Sequence, residues 1–247
     1  MQPTISHLFQ RATFLARLVR HSGGRYLRSR QIHPPLVVSY SGRTVLCQAP
    51  DSEETIGLYS EVIIDDCYGL LARRGKLKPG PVVDIGANIG LFACWVRVVS
   101  PLCSVIAYEP NPKARQWLDQ NAASHQIEVR PVAVSRDGGS RHFNPDQLTT
   151  LGRLTDDPSG QVIETVAARD VADGREIEFL KVDCEGAEFE IFQDSSLLTR
   201  TKMIGLEYHL TASNTMELLC GLLADGGHRV TKIFPRGDYG TMWTERI

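Results

Sequence analysis

The sequence predicts an α/β protein built on a mostly parallel sheet with helices on both faces. Three observations carry that expectation. From Pro81 onward, short apolar runs alternate with helical stretches through short links. The runs at 82–86, 104–110 and 176–183 read as buried strands, each ending in polar or acidic residues. The last two strands, 228–234 and 239–247, are joined by too few residues for a crossover helix, so they must pair antiparallel.

In chain order, 36–50 (LVVSYSGRTVLCQAP) reads as two short strands around Ser41-Gly42-Arg43, and 53–75 as two helical pieces with a glycine stop. Lys78-Pro79-Gly80 punctuates a boundary. Residues 1–78 are therefore expected to form an N-terminal cap, too poor in apolar material to stand alone, and 79–247 the main domain. That domain opens with a strand at 82–86, a helix at 91–100, a strand at 104–110, a helix at 113–125 and a strand at 127–135. Residues 136–145 suggest a turn, 149–160 a polar loop and 161–168 a strand. A strand at 176–183, a helix at 187–198, a strand at 202–209, a helix at 213–225 and the two closing strands complete the chain. There is no internal repeat.

With 42% hydrophobic and 23% charged residues, the 247-residue chain suits one soluble domain with an elaboration. No apolar run approaches the ~20 residues of a membrane-spanning helix. A net charge of −2 makes nucleic acid an unexpected partner. The charge is unevenly spread: residues 1–50 hold seven arginines and no acid. Ile5, Leu8, Phe9, Ala12, Leu15 and Val19 recur at helical spacing among those arginines. Three readings stand: a basic amphipathic helix packing on its own domain or a partner, a membrane-surface helix, or an organelle transit segment within residues 1–30. Six scattered cysteines without a C-x-x-C pair suggest a reducing compartment, hence the cytoplasm, and no structural zinc.

The most informative loop is DIGANIG, Asp84 to Gly90, between a strand and a helix, where open α/β sheets bind ligands. Gly86 permits a tight turn and Gly90 close packing of helix on strand. Asn88 stands where a dinucleotide fingerprint needs glycine, and no Gly-Lys-Ser/Thr follows, so neither pyrophosphate nor triphosphate is the natural guest. Glu109, ending the next strand, is placed to accept from both hydroxyls of a ribose. Asp84 adds a second carboxylate, which suits an amino group or a cation. S-adenosylmethionine has a ribose, an ammonium and a sulfonium but no phosphate, and it fits this pattern. A glycine turn with incidental acids is the alternative.

These residues carry a family resemblance. The stretches VVDIGANIGLFA (82–93), AYEPNP (107–112), VAVSRDGG (132–139), FLKVDCEGAEFEIF (179–192) and IGLEYH (204–209) resemble the FkbM family of class I S-adenosylmethionine-dependent methyltransferases. The resemblance covers roughly 81–210. It implies a Rossmann-like fold with a seven-stranded, mostly parallel sheet and an antiparallel last strand. It further implies that Gly86, Ala87, Asn88 and Gly90 lie under the methionine moiety, with Asp84 near its amino group. Glu109, Pro110 and Asn111 would hold the ribose, Val132 and Ala133 border the adenine, and Asp183 face the sulfonium side.

Asp183, Glu185 and Glu188 crowd three carboxylates into a strand-to-helix junction, so something should compensate them. Helix chemistry explains Glu188, as an acid in a first turn. Glu185 stays open between that role and a site for Mg²⁺ shared with Asp183 and Glu207. Asp183 is expected to face the cationic cofactor. Alternation puts Glu207 and His209 on one face of the next strand, on the same rim, so His209 or Asp183 is the candidate base for a hydroxyl proton. The expected function is methyl transfer to a hydroxyl of a small molecule or glycan, and the family resemblance points to sugars and polyketide-like natural products. The rivals are a non-catalytic cofactor-binding partner subunit and an NAD-dependent oxidoreductase. An Asn/Asp-Pro-Pro-Tyr/Phe motif, which would suggest methylation of a nucleic acid, is absent.

Overall fold

The structure is a computed structural model and describes residues 15–22, 33–144, 152–155 and 157–247. Strands β1 (Leu36–Tyr40) and β2 (Arg43–Cys47) form the expected hairpin. Ser41 and Gly42, with φ of 49° and 81°, supply the left-handed pair that such a turn requires. Helix α1 (Glu53–Tyr59), capped by the Ser52 hydroxyl, runs into a π-helical turn at Ser60–Ile64, and α2 (Leu70–Arg73) follows. Leu36, Val38, Tyr59 and Ile63 are fully buried in the same core as Trp95 of the main domain.

Seven strands make the central sheet: β3 (Pro81–Ile85), β4 (Ser104–Tyr108), β5 (Ile127–Arg130), β10 (Phe179–Val182), β11 (Met203–His209), β12 (His228–Pro235) and β13 (Tyr239–Arg246). Their order is β12-β13-β11-β10-β3-β4-β5, and only β13 runs against its neighbours. The order reverses beside β3, so the ends of β3, β4, β10 and β11 open one crevice. Helices α3 (Leu91–Val99) and α4 (Pro112–His125) cover one face together with the cap. On the other face lie α5 (Glu188–Phe192), α6 (Ser195–Thr199) and α7 (Met216–Asp225).

Several expectations need correction. The run 127–135 is two strands, because Pro131 has no amide hydrogen to continue the ladder. Its second part, β6 (Ala133–Ser135), joins a separate four-stranded sheet with β7 (Gly139–Asn144), β8 (Arg153–Thr155) and β9 (Gln161–Ala167), in the order β6-β9-β7-β8. Within the stretch 136–145, expected as a turn, Gly139–Asn144 are strand. The helix expected over 187–198 is two short helices, with Asp194 capping the second through its side chain. In the basic segment, Leu15 is exposed while Leu18 and His21 are buried, so the inward face differs from the one the spacing suggests. His21 lies edge-on to Trp95 at 5.2 Å, which packs the helix over 15–21 on this chain's own core. Ile5, Leu8, Phe9 and Ala12 lie outside the described residues. Among the described residues no helix is long and apolar enough to cross a membrane.

Candidate active site

The crevice holds a cavity of about 560 Å³, within the range of small-molecule sites. Its floor is the glycine loop. The amides of Gly86 and Ala87 both donate to the Tyr108 carbonyl at 3.0 Å, tying the loop to β4. Gly86 has φ 72°, and a Cβ there would fall 1.7 Å from the Asp183 carbonyl oxygen. The close approach that needs glycine is therefore the neighbouring strand's backbone. Ala87 and Asn88 line the cavity; Gly90 does not. Gly90 packs on α4, where a Cβ would meet Leu118 at 2.6 Å.

Glu109 ends β4 on the cavity wall. Its two carboxylate oxygens accept from the Asn111 amide at 2.7 Å and the Asn88 amide at 2.8 Å, and its pKa is raised to about 7 by burial. Pro110 and Asn111 line the same wall. Asn111 is buried, and its side-chain amide nitrogen has no partner. Beyond it the wall turns apolar, with Ala133, Val134, Phe143 and Leu154. Val132, expected here, is off the wall; its neighbour Val134 takes that place.

Asp84 also departs from expectation. It is fully buried, off the cavity wall, with one oxygen 3.0 Å from Lys181 Nζ. Burial pushes its pKa up, with Lys181 opposing. The parallel register sets Lys181 directly beside Asp84, and only that pairing reveals the ion pair. Lys181 also lies 3.5 Å from Asp183 Oδ2, while Tyr68 from the cap donates its phenol hydrogen to the same oxygen at 2.7 Å. Burial alone would lower Lys181, but Asp84, Asp183 and Glu109 together hold it above its ordinary value. The charge that compensates Asp183 is thus supplied by the chain itself.

Glu188 is not merely a helix start. It is fully buried and bonds His209 Nδ1 at 2.9 Å, while His209 Nε2 faces Glu185 at 3.5 Å and Glu207 at 3.8 Å. Tyr239 stacks on the imidazole with ring centroids 6.3 Å apart. Burial pulls His209 down, but Glu188, Glu185 and Glu207 outweigh it and raise the group to about 9. Burial and Asp183 raise Glu185 to about 7 and Glu207 to about 8. The Mg²⁺ reading is corrected here: among the described residues no group of three His, Cys, Asp or Glu is placed to hold a metal. Asp183, Glu185 and Glu207 are instead drawn to Lys181 and His209.

The donor set fits S-adenosylmethionine. Among the described residues Glu54, Glu61, Glu109, Asp183, Glu185 and Glu207 line the cavity, no arginine does, and Lys181 is already paired with Asp84. That balance favours a cation over a phosphate. Glu109 on the wall is an acceptor of the kind a ribose requires, and Asn111 beside it carries a buried side-chain nitrogen without a partner.

Comparison with known proteins identifies the family. The model of the methyltransferase FkbM domain matches residues 84–230. A 31-O-demethyl-FK506 methyltransferase FkbM from Streptomyces tacrolimicus is 40% identical over 100 residues, which is 38% of this chain and 38% of that protein. The methyltransferase sdnD of Sordaria araneosa is 27% identical over 177 residues, covering 55% of this chain and 67% of that one. Among solved structures, fibrillarin of Aeropyrum pernix in complex with S-adenosyl-L-methionine covers 87% of this chain and 84% of its own, at 10% identity and a TM-score of 0.47. The chain belongs to the FkbM methyltransferase family.

Proposed function

We propose that the protein is an S-adenosylmethionine-dependent O-methyltransferase acting on a hydroxyl of a small molecule or glycan. The observation that carries the reading is the Glu188–His209 pair, which turns Nε2 into an acid-lined cavity beside Asp183. S-adenosylmethionine, when bound, supplies a methyl group on a sulfonium that leaves as a neutral thioether. Glu109 and Asn111 bind the ribose, and the apolar wall from Ala133 to Leu154 takes the adenine. Asp183, fixed by Tyr68 and Lys181, presents its carboxylate to the cationic centre.

His209 Nε2 accepts the proton of the attacking hydroxyl, and Glu188 holds the ring with Nδ1 protonated. In the ligand-free protein His209 is a cation at neutral pH. A positive charge bound beside Asp183 lowers its proton affinity and frees it as a base. Glu207, on the same wall, shares the proton load of the pair. The relative acting on 31-O-demethyl-FK506 supports transfer to oxygen, by its name alone. The test is transfer of labelled methyl to a panel of glycans and hydroxylated metabolites, with and without EDTA. The expected product is a methyl ether formed equally in both. Label on nitrogen or carbon, or activity that needs added metal, contradicts the reading.

A further inference from the structure

Lys181 is the one charged residue of β10, and it sits at the centre of a row that crosses the sheet. Register places Asp84 beside it on β3 and Gly205 beside it on β11. Trp243 stands opposite Gly205 on β13. Alternation turns this row toward the face covered by the cap. Gly205 leaves room for the cap backbone, since a Cβ there would lie 2.2 Å from the Tyr68 carbonyl oxygen. The Tyr68 ring then covers the ammonium, which lies 5.3 Å from the ring centroid. Arg73 holds this covering segment in place by donating to the carbonyls of Tyr68 at 2.8 Å and Ile204 at 3.0 Å.

Neutralising Asp84 would need only the ion pair. Lys181 does more, because its ammonium also donates to the Gly86 carbonyl at 2.5 Å and lies 3.4 Å from that of Ile85. These carbonyls belong to the point where β3 becomes the glycine loop. We propose that Lys181 is a positioning residue for the cofactor, building on the function proposed above. Its ammonium bolts the start of the glycine loop to Asp183 at the end of its own strand β10, which presets the loop to receive S-adenosylmethionine. A compact ammonium with three protons can reach an acid and two strand ends at once. A planar guanidinium on a longer stem cannot occupy the same space. The charge is only 4% exposed, so its contacts are little weakened by water.

The test compares wild type, Lys181→Met, Lys181→Arg and the double variant Asp84→Asn/Lys181→Met. Lys181→Met is expected to lose stability, because Asp84 is left buried without a cation. The double variant removes that orphan charge and is expected to recover most of the wild-type melting temperature. It should still bind S-adenosylhomocysteine at least tenfold more weakly by calorimetry. Its amides at 86–88 should also exchange faster in the ligand-free protein. Lys181→Arg keeps the charge and is expected to share the weak binding. Wild-type affinity in the double variant, or in Lys181→Arg, overturns the positioning role and leaves Lys181 as a neutraliser of Asp84. Failure of the wild type itself to bind either form of the cofactor refutes the proposed function instead, and the exchange measurement then still judges the role of Lys181 in shaping the loop.

Discussion

Glu188→Gln removes one charge from a fully buried carboxylate and keeps its shape. In the wild type His209 is raised to about 9 from an ordinary 6.5. A rise of that size corresponds to roughly 3 kcal/mol of preference for the imidazolium, and the ring is buried enough for much of it to survive screening. Because the folded value lies above the unfolded one, this contribution is complete below about pH 6.5. It is lost as pH rises through about 9. Without the Glu188 charge, burial pulls His209 down with only Glu185 and Glu207 opposing. The midpoint is expected to fall by about 1–2 units, which is roughly 1.4–3 kcal/mol. Ring-proton NMR, assigned with His209→Asn, reads the midpoint directly. Thermal melts across the same pH range should show a shallower loss of stability in Glu188→Gln. A His209 that titrates near 6.5 in the wild type, or an unchanged midpoint in Glu188→Gln, refutes the reasoning.

Three other outcomes follow from the same geometry. Gly205→Ala puts a Cβ 2.2 Å from the Tyr68 carbonyl oxygen, so it should destabilise the protein by about 1–3 kcal/mol in denaturant titrations; a neutral result would mean the cap does not seat on β11 as described. Glu109→Gln turns one acceptor of a loop amide into a donor, and affinity for S-adenosylhomocysteine should fall roughly 10- to 100-fold, as the loss of charge-assisted hydrogen bonds predicts. Glu185 and Glu207, raised to about 7 and about 8, should release protons when a cation binds near pH 7.5, seen as a calorimetric enthalpy that changes with the buffer's ionisation heat; a buffer-independent enthalpy counts against a cation among these acids.

The fold was legible where the pattern is local. Glycine punctuation and apolar runs located β3, α3, β4 and α4 to within a few residues. The second sheet is hidden in the sequence because Ile127, Val129, Val132 and Val134 read as one continuous strand, and only Pro131 marks the break between two sheets. At the site, Glu109, Asp183, Glu207 and His209 could be found because strand ends face the crevice in this architecture. Lys181 could not be placed, since its partner Asp84 lies about a hundred residues earlier and meets it only through sheet register. A signal existed: a lysine in a buried strand needs a partner. Glu188 does stand in the first turn of α5, as its sequence position suggests, but its contact with His209 depends on the packing of α5 on β11 and has no sequence signal. Phe143, Leu154 and Tyr68 reach the cavity from the small sheet and the cap, whose paths the main alternation does not specify.

Calorimetric titration of the ligand-free protein with S-adenosylmethionine, with NADH as the control, tests the central claim most directly. One equivalent of S-adenosylmethionine should bind and NADH should not, because acids line the wall and, among the described residues, no unpaired cation faces it for a pyrophosphate. Binding of NADH, or no binding of S-adenosylmethionine, would contradict it.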